Sequence, residues 1–143
     1  MPHLVILYTG QLDQEVNMTS LCRQLADAML TVKDESGKQV FPTGGTRVLA
    51  YPAPHYAVAD GGAAGIAAGG DGDYAFVYLN LRMGRGRTEA TQKLAGETLL
   101  AVAKAFFTPL MATKHMGVTL QIDVGQEVFD AKHSTLHPLF NKA

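Results

Sequence analysis

Between positions 74 and 83 the chain alternates strictly, with Ala75, Val77, Leu79, Leu81 and Met83 set against Tyr74, Phe76, Tyr78, Asn80 and Arg82. A period of two predicts a strand whose two faces meet different surroundings. Val118, Leu120, Ile122 and Val124 alternate with Thr119, Gln121 and Asp123 in the same way, predicting another strand. His3 to Tyr8 is a nearly continuous apolar run, too short for a helix and rich in strand formers. It predicts a strand at the head of the chain. Arg47 to Tyr51 reads as one more, expected to stop at Pro52 and Pro54, because proline withholds a ladder donor.

Two stretches carry helical spacing instead. From Met18 to about Val32, apolar residues fall at Leu21, Leu25, Met29 and Val32, with Cys22 and Ala26 widening the stripe and Asn17 placed as an N-cap. From Glu89 to Met111 the repeat is Leu94, Thr98, Val102, Phe106 and Leu110, behind a second capping residue, Thr88. Pro109 is expected to kink or end that helix early. Lys33 to Gly45 is a polar connection closing on Gly44-Gly45, and Gly84 to Arg87 is a turn. Six of the fifteen glycines lie between Gly61 and Gly72, which predicts a flexible loop, read as an insertion over residues 60–72.

The element order is strand, helix, strand, repeated once. Each half forms a β-α-β unit with a right-handed crossover. The expected fold is α+β: one domain over residues 1–143, with a four-stranded mixed sheet carrying both helices on one face. The other face, with Tyr74, Phe76, Tyr78, Asn80 and Arg82, would lie open. It is too aromatic for comfortable exposure and too polar for a dry core, so other subunits are expected to cover it.

Composition narrows the function. The 143 residues are 47% hydrophobic and 17% charged, which suits a packed globular domain. Twelve basic against thirteen acidic residues leave a net charge of -1, so no broad basic field exists to hold nucleic acid or an anionic membrane. No window approaches ~18 consecutive apolar residues, the length of a membrane span. A single cysteine, Cys22, cannot form an intrachain disulfide, and the amino terminus lacks the layout of a secretory signal, so the cytoplasm is the expected location. Cys22 reads as a small core residue. His133 and His137 have a ligand-like interval but no Cys pair or suitably spaced acid beside them, so no metal is expected. Gly84-Arg85-Gly86-Arg87 lacks the third glycine and the lysine of phosphate loops, and no nucleotide cofactor is expected.

Two groups of residues carry chemistry. With Met1 removed, Pro2 would present a secondary amine at the start of a buried strand; burial or nearby cations would leave it neutral and basic near pH 7. Four of the five arginines, Arg47, Arg82, Arg85 and Arg87, sit at strand ends or turns. Arg85 and Arg87 immediately precede a helix start, an unfavourable place for a cation unless an anion shares it. Arginine is also suited to two-pronged capture of a carboxylate. A small organic anion is therefore the expected partner.

Met1-Pro2-His3 at a strand start, Phe41-Pro42 with Gly45 and Arg47, Asp73-Tyr74-Ala75-Phe76-Val77, Gly84-Arg85-Gly86-Arg87, Ala95-Gly96-Glu97 and His137-x-Leu139-Phe140 occur in this order. Together they resemble the 5-carboxymethyl-2-hydroxymuconate isomerase family of the tautomerase superfamily over nearly the whole chain. The resemblance implies a homotrimer of tautomerase-like subunits and a cofactor-free keto-enol tautomerisation in aromatic compound catabolism. It further implies that Pro2 is the catalytic base and that Arg47 and Arg87 bind substrate carboxylates and stabilise the dienolate. His3 and Arg85 are candidate substrate-binding residues beside them, Arg85 standing where the family usually has a small residue. Two other readings stay open: hydration or hydrolytic dehalogenation of a small unsaturated acid, and a non-catalytic trimeric binding protein whose base is blocked by a retained Met1.

Overall fold

The computed structural model describes residues 2–140. Met1, on which the chemistry of Pro2 turns, lies outside the described residues. The elements are β1 (His3–Thr9), α1 (Met18–Thr31), β2 (Arg47–Ala53), α2 (Ala63–Ala67), β3 (Ala75–Met83), α3 (Glu89–Met111) and β4 (Met116–Val124). The strands form one sheet in the order β2-β1-β3-β4. β1 runs parallel to β2 from His3↔Arg47 to Thr9↔Ala53, and β3 parallel to β4 from Ala75↔Met116 to Met83↔Val124. The two units join antiparallel through β1 and β3, where His3 faces Arg82 and Tyr8 faces Val77. This is the expected mixed sheet.

Period two explains the core. Leu4, Ile6 and Tyr8 of β1 and Ala75, Val77, Leu79, Leu81 and Met83 of β3 are buried beneath α1 and α3. Asn17 caps α1 through a 3.0 Å bond from the Ser20 N–H, and Thr88 caps α3 through a 3.1 Å bond from the Thr91 N–H, each satisfying a donor that a helix start leaves open. α1 buries Leu21, Leu25 and Met29, as its spacing predicts. Cys22 is partly buried, and burial pushes its thiol pKa up.

Four details differ from the sequence expectations. α3 buries Thr91, Ala95, Leu99, Ala103 and Phe107, one position on from the expected stripe, and Leu94 is 45% exposed. The small residues bring the helix down onto the sheet; a Cβ at Gly96 would stand 3.1 Å from Ile122 Cδ1. Pro109 neither ends nor shortens α3, which has only two residues left to run when it is reached. β2 passes through Pro52, because β2 is an edge strand and proline's missing donor is tolerated there. The glycine-rich segment contains α2, whose start is held by the Asp60 carboxylate accepting from the Gly62 and Ala64 N–H groups at 2.9 Å each. Those donors hold the Asp60 pKa below the ordinary carboxylate range.

α3 is, among the described residues, the one helix long and apolar enough by length and composition to cross a membrane. Here one of its faces lies on the sheet while Glu89, Lys93, Glu97 and Lys104 punctuate the rest.

The helix-free face is open. Paired residues share a face, so it is ruled in rows: Arg47-His3-Arg82-Asp123, then Leu49-Val5-Asn80-Gln121, then Tyr51-Leu7-Tyr78-Thr119. Leu7 is 47% exposed, Leu49 46% and Tyr51 51%. Charge is concentrated in the first row, beside the head of β1.

Candidate active site

The start of β1, the start of β2 and the ends of β3 and β4 meet at one edge of the molecule. Pro2, one residue ahead of the central strand β1, is buried there. Next to it His3 is half-buried, and burial above all pulls the imidazole pKa below its ordinary 6.5, with the Arg47 and Arg82 guanidinium charges among the smaller contributions. The ring is therefore neutral at pH 7.

Arg47 and Arg87 hang from the two ends of one short segment, Val40 to Gly44. Arg47 Nη1 donates to the Gly44 carbonyl at 3.0 Å, and Arg87 Nη2 donates to the Val40 carbonyl at 2.9 Å. Arg87 also donates to the Gly84 carbonyl at 3.3 Å. This accounts for Phe41-Pro42 and Gly44 travelling with those arginines: Phe41 is fully buried and anchors the segment, while Gly44 and Gly45 turn it into β2. A guanidinium has five N–H donors; among the described residues Arg87 uses two of them in this frame.

Arg85 points elsewhere. It is exposed and ties down the chain leaving β4, donating from Nε to the Gly125 carbonyl at 2.7 Å and from Nη2 to Gln126 Oε1 at 2.9 Å.

That departing chain returns across the site. Residues Asp130 to Leu136 join His3 and Arg47 around a cavity of about 470 Å³. Its polar lining includes Asp130, Lys132, His133 and Ser134. Pro2 lies one residue behind its wall, and neither Arg85 nor Arg87 is among the lining residues. The turn at His137–Leu139 then closes on Gly44, where a Cβ would stand 3.0 Å from His137 Cα and 3.2 Å from the Phe140 ring. Of the five predicted site residues, the cavity thus gathers His3 and Arg47; Pro2 precedes His3 in the chain and is not among the lining residues. Arg87 shares a frame with Arg47, and Arg85 stands apart. The place of residues 130–136 was missed, because the tail has no periodicity to read, and Arg82, grouped with the other strand-end arginines, stands opposite His3 by a register that only the structure shows.

Among the described residues no group of three or more His, Cys, Asp or Glu is disposed to hold a metal ion. The chemistry available to the site is that of a neutral imidazole, a carboxylate and several cations, to which removal of Met1 would add an amine at Pro2; such a set is suited to moving a proton on an anionic molecule.

Comparison with known proteins identifies the family. A sequence profile described as CHMI, 5-carboxymethyl-2-hydroxymuconate isomerase, matches residues 2–140. The 5-carboxymethyl-2-hydroxymuconate Delta-isomerase of Escherichia coli is 24% identical over 140 residues, 98% of this chain and 99% of that protein. A crystal structure of a 5-carboxymethyl-2-hydroxymuconate delta-isomerase, 65% identical, superposes with a TM-score of 0.96 over 100% of this chain and 95% of the other. A 5-carboxymethyl-2-hydroxymuconate isomerase from Deinococcus radiodurans R1, 29% identical, gives a TM-score of 0.80 over 99% and 95%. With its two β-α-β units, its buried second-position proline and its arginine-lined edge, the chain belongs to the 5-carboxymethyl-2-hydroxymuconate isomerase family and is an isomerase with the tautomerase fold.

Proposed function

We propose that the protein, after loss of Met1, catalyses the cofactor-independent ketonisation of 5-carboxymethyl-2-hydroxymuconate or a closely related 2-hydroxydienoate, with Pro2 as the general base. The observation that carries this reading is the buried Pro2 at the head of the central strand, beside a cavity lined by Arg47 and a neutral His3. Burial and the neighbouring guanidinium charges favour the neutral amine. Its nitrogen takes the proton of the 2-hydroxyl group, the electron pair moves through the conjugated system, and the same proton is returned to a distant carbon as the carbonyl forms. Arg47 and Arg87 hold the substrate carboxylates and the charge that develops on the dienolate. His3 shapes the pocket as a neutral wall. Arg85 acts indirectly, by fixing the strap that covers the site. Proximity of the bound substrate to the base supplies much of the rate.

The open face, with Leu7, Leu49 and Tyr51 each about half exposed, supports a homotrimer in which neighbouring copies cover it. The same reading extends to a role in aromatic compound catabolism, in the cytoplasm.

Intact-mass measurement of the native protein tests the first requirement, since a retained Met1 leaves Pro2 an amide and makes the chain a binding protein at most. Ultraviolet ketonisation assays test the second: Pro2→Ala is expected to lower kcat by about 10²–10⁴-fold, the usual contribution of a positioned base. A second reading, addition of water to a small unsaturated acid, has a specific observation in its favour, because Asp130 lines the cavity and could activate water. Turnover of such acids that is lost in Asp130→Asn, with ketonisation intact, would favour it.

A further inference from the structure

The sequence places Arg82 on the open face of β3, and the reading above leaves it without a task. Its surroundings are not those of an ordinary solvated arginine. It faces His3 across the β1/β3 ladder as Arg47 faces His3 across β1/β2. Adjacent strands lie ~4.8 Å apart, so the two arginines flank His3 with their backbones roughly 10 Å from each other, well within the reach of two long side chains converging on one ligand. Arg82 is also braced. Its Nε donates to Asn80 Oδ1 at 2.8 Å, and Asn80 Nδ2 donates to Asp123 Oδ2 at 3.0 Å. Asn80 is only 3% exposed, on a strand whose helix side is wholly apolar.

A buried amide is costly unless its hydrogen bonds are made, and here one of them orients a guanidinium. The terminal edge of Arg82 has no acceptor and no ion-pair partner among the described residues; Asp123, its neighbour on β4, is engaged by Asn80. An arginine held at Nε, whose terminal nitrogens have no partner among the described residues, is available for carboxylate capture. Its charge is felt at the site, since it contributes to lowering the His3 pKa.

We propose that Arg82 is a third substrate-binding arginine, the receptor for the carboxymethyl carboxylate that smaller 2-hydroxydienoates lack. The proposal rests on the isomerase reading and deepens it. Arg47 and Arg87 answer the two carboxylates of a muconate skeleton, and the carboxymethyl group carries the remaining one.

The test compares wild type, Arg82→Gln and Arg82→Lys, each confirmed by mass to start at Pro2, on 5-carboxymethyl-2-hydroxymuconate and on 2-hydroxymuconate, which has the same dienol without the carboxymethyl arm. Arg82→Gln is expected to lower kcat/KM on the larger substrate by about 10–100-fold, mainly through KM, as for loss of a hydrogen bond between charged groups. The preference for the larger substrate should shrink by at least about ten-fold, with part of it restored in Arg82→Lys. The ratio of two substrates on one preparation is independent of the fraction folded, so a poorly folding variant still reports. An active wild type whose preference is unchanged in Arg82→Gln overturns the role of Arg82 and leaves the isomerase reading standing. A wild type inactive on both substrates overturns the isomerase reading and the proposal with it.

Discussion

Gly44→Ala is a small perturbation with an unusual predicted profile. The new Cβ would stand 3.0 Å from His137 Cα, 3.2 Å from Phe140 Cδ2 and 3.3 Å from His137 Nδ1, a few tenths of an ångström tighter than ordinary contact. Overpacking of this kind costs about 1–3 kcal/mol where nothing can yield. Here something can. The opposing group is the last turn of the chain, with Leu139 71% and Phe140 50% exposed, whereas Gly44 itself is buried and continues into β2. The tail should lift and the sheet should stay. Melting would then move by no more than about 4 °C, corresponding to roughly 1 kcal/mol in a chain of this size. Activity should change more, because residues 130–136 line one wall of the cavity and the Gly44 carbonyl holds Arg47. We expect kcat/KM for ketonisation to fall about ten-fold, with faster protease cleavage at Lys132. A drop in melting temperature beyond about 10 °C would show that the core, not the tail, absorbs the strain. Unchanged kinetics together with an unchanged cleavage rate would refute the linkage between tail and site.

Other substitutions probe separate parts of the argument. Leu99→Ala, at a fully buried position of α3, should destabilise by about 2–5 kcal/mol through cavity formation, whereas Leu94→Ala on the exposed side should change stability by less than about 1 kcal/mol; thermal melts of the pair check the phase of that helix. Leu49→Asp places a charge on the open face and should turn the proposed homotrimer into monomers, read by sedimentation or light scattering. Because the folded His3 pKa is lowered, the unfolded chain binds more protons between the folded value and 6.5, so stability should rise with pH across that window and fall on acidification. His3→Asn should flatten the dependence in urea titrations. Tyr8 has the opposite consequence at the alkaline end: burial, then its bond to Asp13, pushes its pKa up to about 12, so stability should decline between pH 10 and 12, and Tyr8→Phe should remove that decline.

The sheet was legible because its signal is local: alternation along β3 and β4 reports which side is dry, and the two caps at Asn17 and Thr88 mark where the helices begin. Phase was harder in α3, where apolar residues occur on more than one side. Leu94, Thr98 and Val102 repeat as regularly as Ala95, Leu99 and Ala103, and only close packing on the sheet favours the smaller set. α2 was hidden because its residues are nearly all Gly and Ala, leaving no polar-apolar contrast; the readable hint was Asp60, an acceptor placed just ahead of the backbone donors it holds. The site was partly legible. Pro2, His3 and Arg47 could be picked out by residue type and place, but the approach of residues 130–136 to His3 depends on a crossing that leaves no trace in spacing, and Arg82 required knowing which residue of β3 stands opposite His3.

The placement of β1 sets the order in which the sheet can close. β1 is made before both of its neighbours, yet it lies between β2 and β3, so its backbone stays unpaired on one side until residues beyond Met83 have left the ribosome. The edge where His3 pairs with Arg82 and residues 130–136 return is thus the last part of the molecule to be completed.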